Sequence, residues 1–406
     1  MKKYIAFALM AVLLLSMFYG CAPKTTEAIA NQDQIQVELS GLTLHKIGVA
    51  TYDIKDAQIR MFKNYLDNYI KECFSDVTFL YSNSISGGED LMDFLELCSE
   101  NDVEGVLVFG SYDLQKEVEF CAAHNMYYIR PTATSSEADF QSVAANPYFV
   151  GEIGPGADNE YQAGFDMVKA LVQTGNSYVI LSGGGCLGNE MHRLRTVGIL
   201  DALQETYGVR FAQSTEDLAV TSEPVTLEVG ELKAVIYPGY LAQKSALEKA
   251  SEAISSGDYT TVLSTVPVTP LVDVLDASEM EYGVIDCFSE ENYFAFQSGK
   301  LSYVAGKYES EIGPGFAALY NAITGHGDAF RENGRAFRLK QGFWTAASME
   351  EYDSMYALAT GAAVNAYNYE DLYAVIQSIA PEASFDSFRI LVESYRYEDC
   401  LARRSA

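Results

Sequence analysis

Four histidines, His45, His124, His192 and His326, are scattered through 406 residues, and none accompanies a nucleophile in a G-x-S-x-G setting. Covalent acyl chemistry has no visible apparatus here. Cys73, Cys98, Cys121, Cys186, Cys287 and Cys400 show no C-x-x-C spacing, so zinc has no support. Most of them sit in apolar contexts such as Phe94-Leu95-Glu96-Leu97-Cys98, which suits buried free thiols. Nothing singles out a catalytic pair among 56 acidic residues. Gly183-x-Gly185-x-x-Gly188 follows an apolar run and opens a helical pattern, as a dinucleotide fingerprint does. That fingerprint needs an acid closing a second strand about 20 residues on. Asp201 and Glu205 stand at that distance but inside the helical pattern, so a plain strand-to-helix turn fits better. A phosphate loop fails because no Lys-Ser/Thr follows Gly188. The sequence asks for no metal and no cofactor. What remains is recognition chemistry: polar residues just past apolar runs, namely Tyr52, Asp53, Ser111, Tyr112 and Arg130.

Those residues need strands to position them. Lys46–Tyr52, Val77–Tyr81, Val103–Phe109 and Met126–Ile129 are short apolar runs, and helical spacing fills the gaps at Asp56–Glu72, Gly88–Asn101 and Leu114–Asn125. Strands alternating with helices at these lengths predict a parallel sheet covered on both faces, with ligands at the carboxyl ends of its strands. The alternation then restarts. A helix is expected over Glu160–Val172, a strand over Ser177–Leu181 and a helix over Asn189–Tyr207, carrying Arg193 and Arg195. Val209–Gln213, Leu232–Tyr237, Thr260–Ser264 and Tyr282–Cys287 read as strands, the last containing Asp286. Ala336–Trp344 reads as one further strand that makes a third crossing, and Met349–Tyr397 as two or three helices rich in Tyr.

A repeat joins the two halves. Glu152-Ile153-Gly154-Pro155-Gly156 recurs letter for letter as Glu311-Ile312-Gly313-Pro314-Gly315. Each copy follows a strand-like run and precedes a helical one. Gly frees φ and Pro fixes it, so each copy marks a place where the chain crosses between lobes. The expected organisation is a first lobe of residues 41–151 with 309–335, a second of 152–308 with 336–347, and a helical extension over 348–406. The fold class is α/β: two doubly wound parallel-sheet lobes joined by a hinge of several crossings.

The formal charge of −29 argues against nucleic acid and anionic lipid as charge-driven partners. Met1-Lys2-Lys3 followed by the uncharged run Tyr4–Phe18 suits a signal peptide over residues 1–21 and is short for a membrane span. Phe18-Tyr19-Gly20-Cys21 resembles a bacterial lipobox, with Cys21 the lipidated residue, although Phe18 and Tyr19 depart from its usual pattern. Residues 22–40 then read as a polar tether.

Together these pieces resemble the type I periplasmic binding proteins, sugar receptors of ABC transporters related to the LacI effector domain. The resemblance spans Lys46 to Trp344 and rests on I-G-V-A-T-Y-D, V-E-G-V-L-V-F-G, A-D-N-E-Y-Q-A-G, N-E-M-H-R-L-R-T-V-G-I-L-D-A-L, G-V-I-D-C-F and S-G-K-L-S-Y-V-A-G-K, in that order. It implies a monomeric, non-enzymatic receptor on the outer side of a bacterial cell membrane, delivering a small polar ligand to an ABC permease. A ligand-sensing lipoprotein that signals to a membrane receptor or kinase is the alternative. It also implies site residues: Asp53 after the first strand, Arg130 after the fourth, Arg193 at the second-lobe helix start, Asp286, and Lys307 at the second crossing. Paired Asp and Arg suit sugar hydroxyls, which both donate and accept. Asp56 and Ala57 stand where the family stacks aromatics on its sugar, Val266-Pro267 replaces an expected polar pair, and the tail from Met349 exceeds the family minimum.

Overall fold

Short apolar runs without polar alternation build both sheets, because a parallel sheet covered on both faces buries nearly every side chain. The computed structural model describes residues 44–172, 177–360 and 366–405, so the leader, Cys21 and most of the tether lie outside the described residues. The first sheet contains β1 (His45–Ala50), β2 (Val77–Tyr81), β3 (Gly105–Val108), β4 (Tyr127–Arg130), β5 (Phe149–Gly154) and β12 (Phe337–Lys340). Its order is β12-β5-β4-β3-β1-β2, and every pairing is parallel. Ile47 and Val49 share a core with Phe62 and Leu319, whereas Ala50, Val106 and Val108 share another with Leu95 and Val118. The sheet is therefore covered on both faces.

The second sheet contains β6 (Ser177–Gly183), β7 (Val225–Val229), β8 (Leu232–Pro238), β9 (Thr261–Ser264), β10 (Glu281–Cys287), β11 (Leu301–Lys307) and β13 (Trp344–Ala346). Its order is β13-β11-β10-β9-β6-β8-β7, parallel except at the two edges, where β13 and β7 run antiparallel.

The chain passes between the sheets three times. After β5, the helix Ala157–Leu171 packs on β10 and β11. After β11, the helix Gly313–Asn321 packs on β3, β4 and β5. After β12, Gln341-Gly342-Phe343 leads into β13. This third crossing divides the segment expected to be one strand in the second lobe: Phe337–Lys340 pairs with Gly151–Gly154 in the first sheet, and Trp344–Ala346 joins the second. A second correction concerns Val209–Gln213, which forms no strand. The edge is supplied by β7, whose V-T-L-E-V alternates as a half-buried strand should and turns into β8 through Gly230 at φ +62°. The tail forms helices Met349–Ala359, Tyr369–Tyr373, Phe385–Glu393 and Tyr397–Ser405.

Candidate ligand cleft between the two sheets

Both copies of the repeated pentapeptide close on one loop, Pro131–Ser135, which follows β4. A Cβ on Gly154 would lie 2.7 Å from the Ala133 backbone, and one on Gly315 would lie 2.6 Å from Pro131 Cβ. Only glycine permits that approach. The backbone of the two copies differs: the first ends β5, the second forms a turn and the start of a helix.

Their glutamates are fully buried. Glu152 Oε1 accepts from Arg130 Nη1 at 3.1 Å, its two oxygens accept from Ser135 N at 3.1 Å, and its Oε2 accepts from Arg338 Nε at 3.2 Å. Arg338 stacks its guanidinium 4.2 Å from the Phe140 ring centroid. Lys307 Nζ donates to Thr132 O at 2.8 Å. Burial pushes the Lys307 ammonium down, while Glu311 and Glu160 act to hold it up. Burial likewise pushes the Glu311 carboxyl up, against the pull of Lys307. Buried ions persist only when their charge is answered: Glu152 pairs with Arg130 and Arg338 within the first sheet, and Lys307 of the second sheet reaches the first-lobe loop through the Thr132 carbonyl.

The second lobe contributes Arg195. Its Nε donates to Glu160 Oε2 at 2.6 Å and its Nη1 to Thr265 O at 3.0 Å. Glycine sets this pair: a Cβ on Gly164 would meet Arg195 O at 2.0 Å, and one on Gly198 would meet Tyr161 O at 2.1 Å, so the two helices touch backbone to backbone. Arg193 turns the other way, to ion pairs with Glu190 and Glu216 near the exposed helix start. His192 is buried, and its Nδ1 accepts from Gly184 N at 3.0 Å. Burial pushes its imidazole down to about 3, so the ring is neutral. The Gly184 N–H that a dinucleotide fold would offer to phosphate is thus already engaged.

A second group faces across the cleft at the ends of β1 and β10. The Tyr52 hydroxyl donates to Asp56 Oδ1 at 3.1 Å and accepts from Gln58 Nε2 at 3.2 Å. Burial, with Asp56 beside it, holds the Tyr52 phenol well above its ordinary range, and Cys287 and Asp286 add to the effect. Asp286 accepts from Asn292 Nδ2 at 2.9 Å. Burial pushes its carboxyl up to about 7, helped by Asp56 and Glu291 and opposed by Asn292. An Arg60–Glu291 ion pair joins the lobes beside them.

The remaining predicted positions serve loops. Asp53 is exposed and accepts from Lys55 N at 2.9 Å and Ser84 Oγ at 3.3 Å. Ser111 Oγ and Tyr112 N both donate to Glu117 at 2.7 Å, and Glu117 also accepts from the Tyr128 hydroxyl at 2.6 Å. The Tyr112 hydroxyl donates to Ile85 O at 3.0 Å. The structure thus groups Arg130 with Lys307 and Tyr52 with Asp286, and leaves Asp53, Ser111 and Arg193 engaged elsewhere. Glu152, Glu160, Arg195, Glu311 and Arg338 were missed. Glu152 and Glu311 open the two repeats, a signal that was in plain view.

Next to the buried ions lies a cavity of about 690 Å³, lined by Ala133 and Thr134 from the first lobe, Glu160, Met191 and Leu194 from the second, and Arg338 of β12. That volume lies in the range of small-molecule sites.

No family model and no curated protein matches the sequence. Solved structures do. An ABC transporter solute-binding protein from Bacillus halodurans C-125 with bound myo-inositol aligns at a TM-score of 0.54 and 15% identity, covering 78% of this chain and 98% of that one. This chain has the type I periplasmic binding protein fold. A periplasmic sugar-binding protein from Pseudomonas fluorescens aligns at 0.56 and 13% identity, covering 88% and 100%. A periplasmic solute-binding protein from Actinobacillus succinogenes 130z with bound D-allose aligns at 0.53 and 11% identity, covering 76% and 99%. Among the described residues, no helix is long and apolar enough to cross a membrane.

Proposed function

We propose that this periplasmic-binding-protein fold serves as an extracytoplasmic solute receptor. Tethered by a lipid on Cys21, it captures a small polar solute (a sugar, polyol or nucleoside) between its lobes. It hands the solute unchanged to an ABC permease. The observation that carries this reading is the cavity of about 690 Å³, walled by both lobes and lined by Glu160 and Arg338, which pair with Arg195 and Glu152. One further fact supports a hydroxylated ligand: solved structures of the same fold hold myo-inositol and D-allose. In this reading Arg130 and Lys307 act on the hinge side of the cleft, Tyr52 and Asp286 on the other, and the lobes hinge at the crossings.

A thermal-shift screen over sugars, polyols, nucleosides and amino acids tests the reading. At least one neutral polyhydroxylated compound is expected to raise the melting temperature; a flat response across all four classes overturns it. Mass spectrometry of the mature N-terminus tests the lipid anchor, with a diacylated Cys21 the expected result and an unmodified residue elsewhere the contrary one.

A further inference from the structure

The C-terminal segment binds both lobes and all three crossings. The helix Met349–Ala359 sits on the second lobe, where the Tyr352 hydroxyl donates to Ser289 O at 2.7 Å and its ring stacks on Phe288 at 4.9 Å. Residues beyond 366 sit on the first lobe. There the Tyr65 hydroxyl donates to Tyr367 O at 2.7 Å, Tyr369 N to the Tyr69 hydroxyl at 2.9 Å, and Asn321 Nδ2 to Val375 O at 2.8 Å. The segment also closes on itself, through Arg403 and Arg404 on the buried Asp371.

Tyr395 is where this segment meets the hinge. Its carbonyl accepts from Trp344 Nε1 at 2.7 Å and from the Tyr308 hydroxyl at 3.4 Å. Its own hydroxyl accepts from Asn159 Nδ2 at 3.4 Å and abuts Gly342, where an added Cβ would come within 2.6 Å of it. Asn159 follows the first crossing, Tyr308 lies in the second, and Gly342 and Trp344 belong to the third. Stacking reinforces the junction. Trp344 lies on Tyr308 at 3.8 Å between centroids, Tyr308 lies parallel to Tyr367 at 6.2 Å, and the Arg403 guanidinium sits 5.2 Å from the Tyr367 ring.

We propose that the C-terminal segment is a hinge clamp: docked at Tyr395 it holds the lobes in the arrangement seen here, and its release permits them to open. Lobe opening requires the crossings to change direction relative to one another. One residue bonded to all three resists that, so docking and closure are linked equilibria, and whatever loosens one loosens the other. The proposal concerns lobe separation and holds whichever solute binds, so a failed solute screen leaves it standing.

Trp344 is the single tryptophan of the chain, so its indole N–H reports the clamp without ambiguity. Spin labels carried by non-natural amino acids at Glu96 and Ser245, both exposed and one on each lobe, report the separation. In the wild-type chain under increasing mild urea, a longer inter-lobe distance should appear together with faster exchange of the indole proton. Trp344→Phe keeps the ring and loses the donor. The loss of one hydrogen bond should raise the open population about threefold to tenfold, and Tyr395→Ala should raise it further. A longer distance appearing in wild type while the indole proton stays protected overturns the clamp. So do folded Trp344→Phe and Tyr395→Ala chains with the wild-type distance distribution.

Discussion

Glu152 and Arg130 form a buried ion pair at 3.1 Å, with Arg130 at the end of β4 and Glu152 in the neighbouring β5. The pair fixes the loop on which both crossings rest. Removing the charge of Glu152 leaves Arg130 without its counter-ion inside the protein, and breaking a buried pair this way costs about 3–5 kcal/mol. Glu152→Gln should therefore lower the unfolding free energy by that amount in urea titration. A loss below about 1 kcal/mol would mean that water already reaches the pair.

The two arginines of the helix Glu190–Tyr207 should behave oppositely. Arg193 pairs near the surface with Glu190 and Glu216, and such pairs contribute about 0–1 kcal/mol. Arg193→Ala should leave both stability and solute affinity nearly unchanged. Arg195→Ala strands the buried Glu160 and should cost about 3–5 kcal/mol. Equal effects in chemical denaturation contradict the geometry.

This contrast marks the limit of what the sequence revealed. Residues two apart on a helix point to different faces, so R-x-R announces that an arginine turns inward without saying which. The Gly164 and Gly198 contacts decide it, and they depend on a partner helix far away in the chain. Strands such as β1 and β3 were legible because an unbroken apolar run has few alternatives. The edge strand β7 was not, because its alternating V-T-L-E-V carries only half the apolar signal of a buried strand. Ala336–Trp344 was read as one strand making the third crossing, but the break at Gln341-Gly342-Phe343, which splits it between the two sheets, was not. The glutamates of the repeat went unnoticed beside its Gly and Pro, since burial of a charge cannot be read from composition. The tail was legible as helices, but its docking on the crossings runs through single bonds from Tyr395 and Tyr367 that leave no periodic trace.

Asp286 gives stability a pH signature. Its folded carboxyl titrates near 7, above the ordinary value of 3.8. A raised carboxyl favours the folded state fully below the unfolded value, and that contribution is lost as pH rises through the folded one. Asp286→Asn keeps a neutral side chain at every pH. Relative to wild type it should gain stability between pH 4 and pH 8, on the order of 1–3 kcal/mol. Melting temperatures of both proteins across that range check the sign. A variant whose advantage shrinks as pH rises contradicts it.

Glycine at the crossings is a steric requirement. Gly315→Ala would bring a methyl group to 2.6 Å from Pro131 Cβ. Relief by backbone shift costs about 1–3 kcal/mol and displaces the loop that carries Thr132, the acceptor of Lys307. The variant should unfold at lower urea and bind solute more weakly. Wild-type behaviour in both would mean that the loop yields freely.

The central claim is that a solute occupies the cavity between the lobes. Met191 lines that cavity on the second-lobe side, and an indole there intrudes into it. Isothermal titration of the compound found by thermal shift, against wild type and Met191→Trp, is the direct test. Saturable one-to-one binding by wild type, weakened at least about 30-fold (roughly 2 kcal/mol) in Met191→Trp, is the predicted result. Equal affinity of the two proteins would contradict the account.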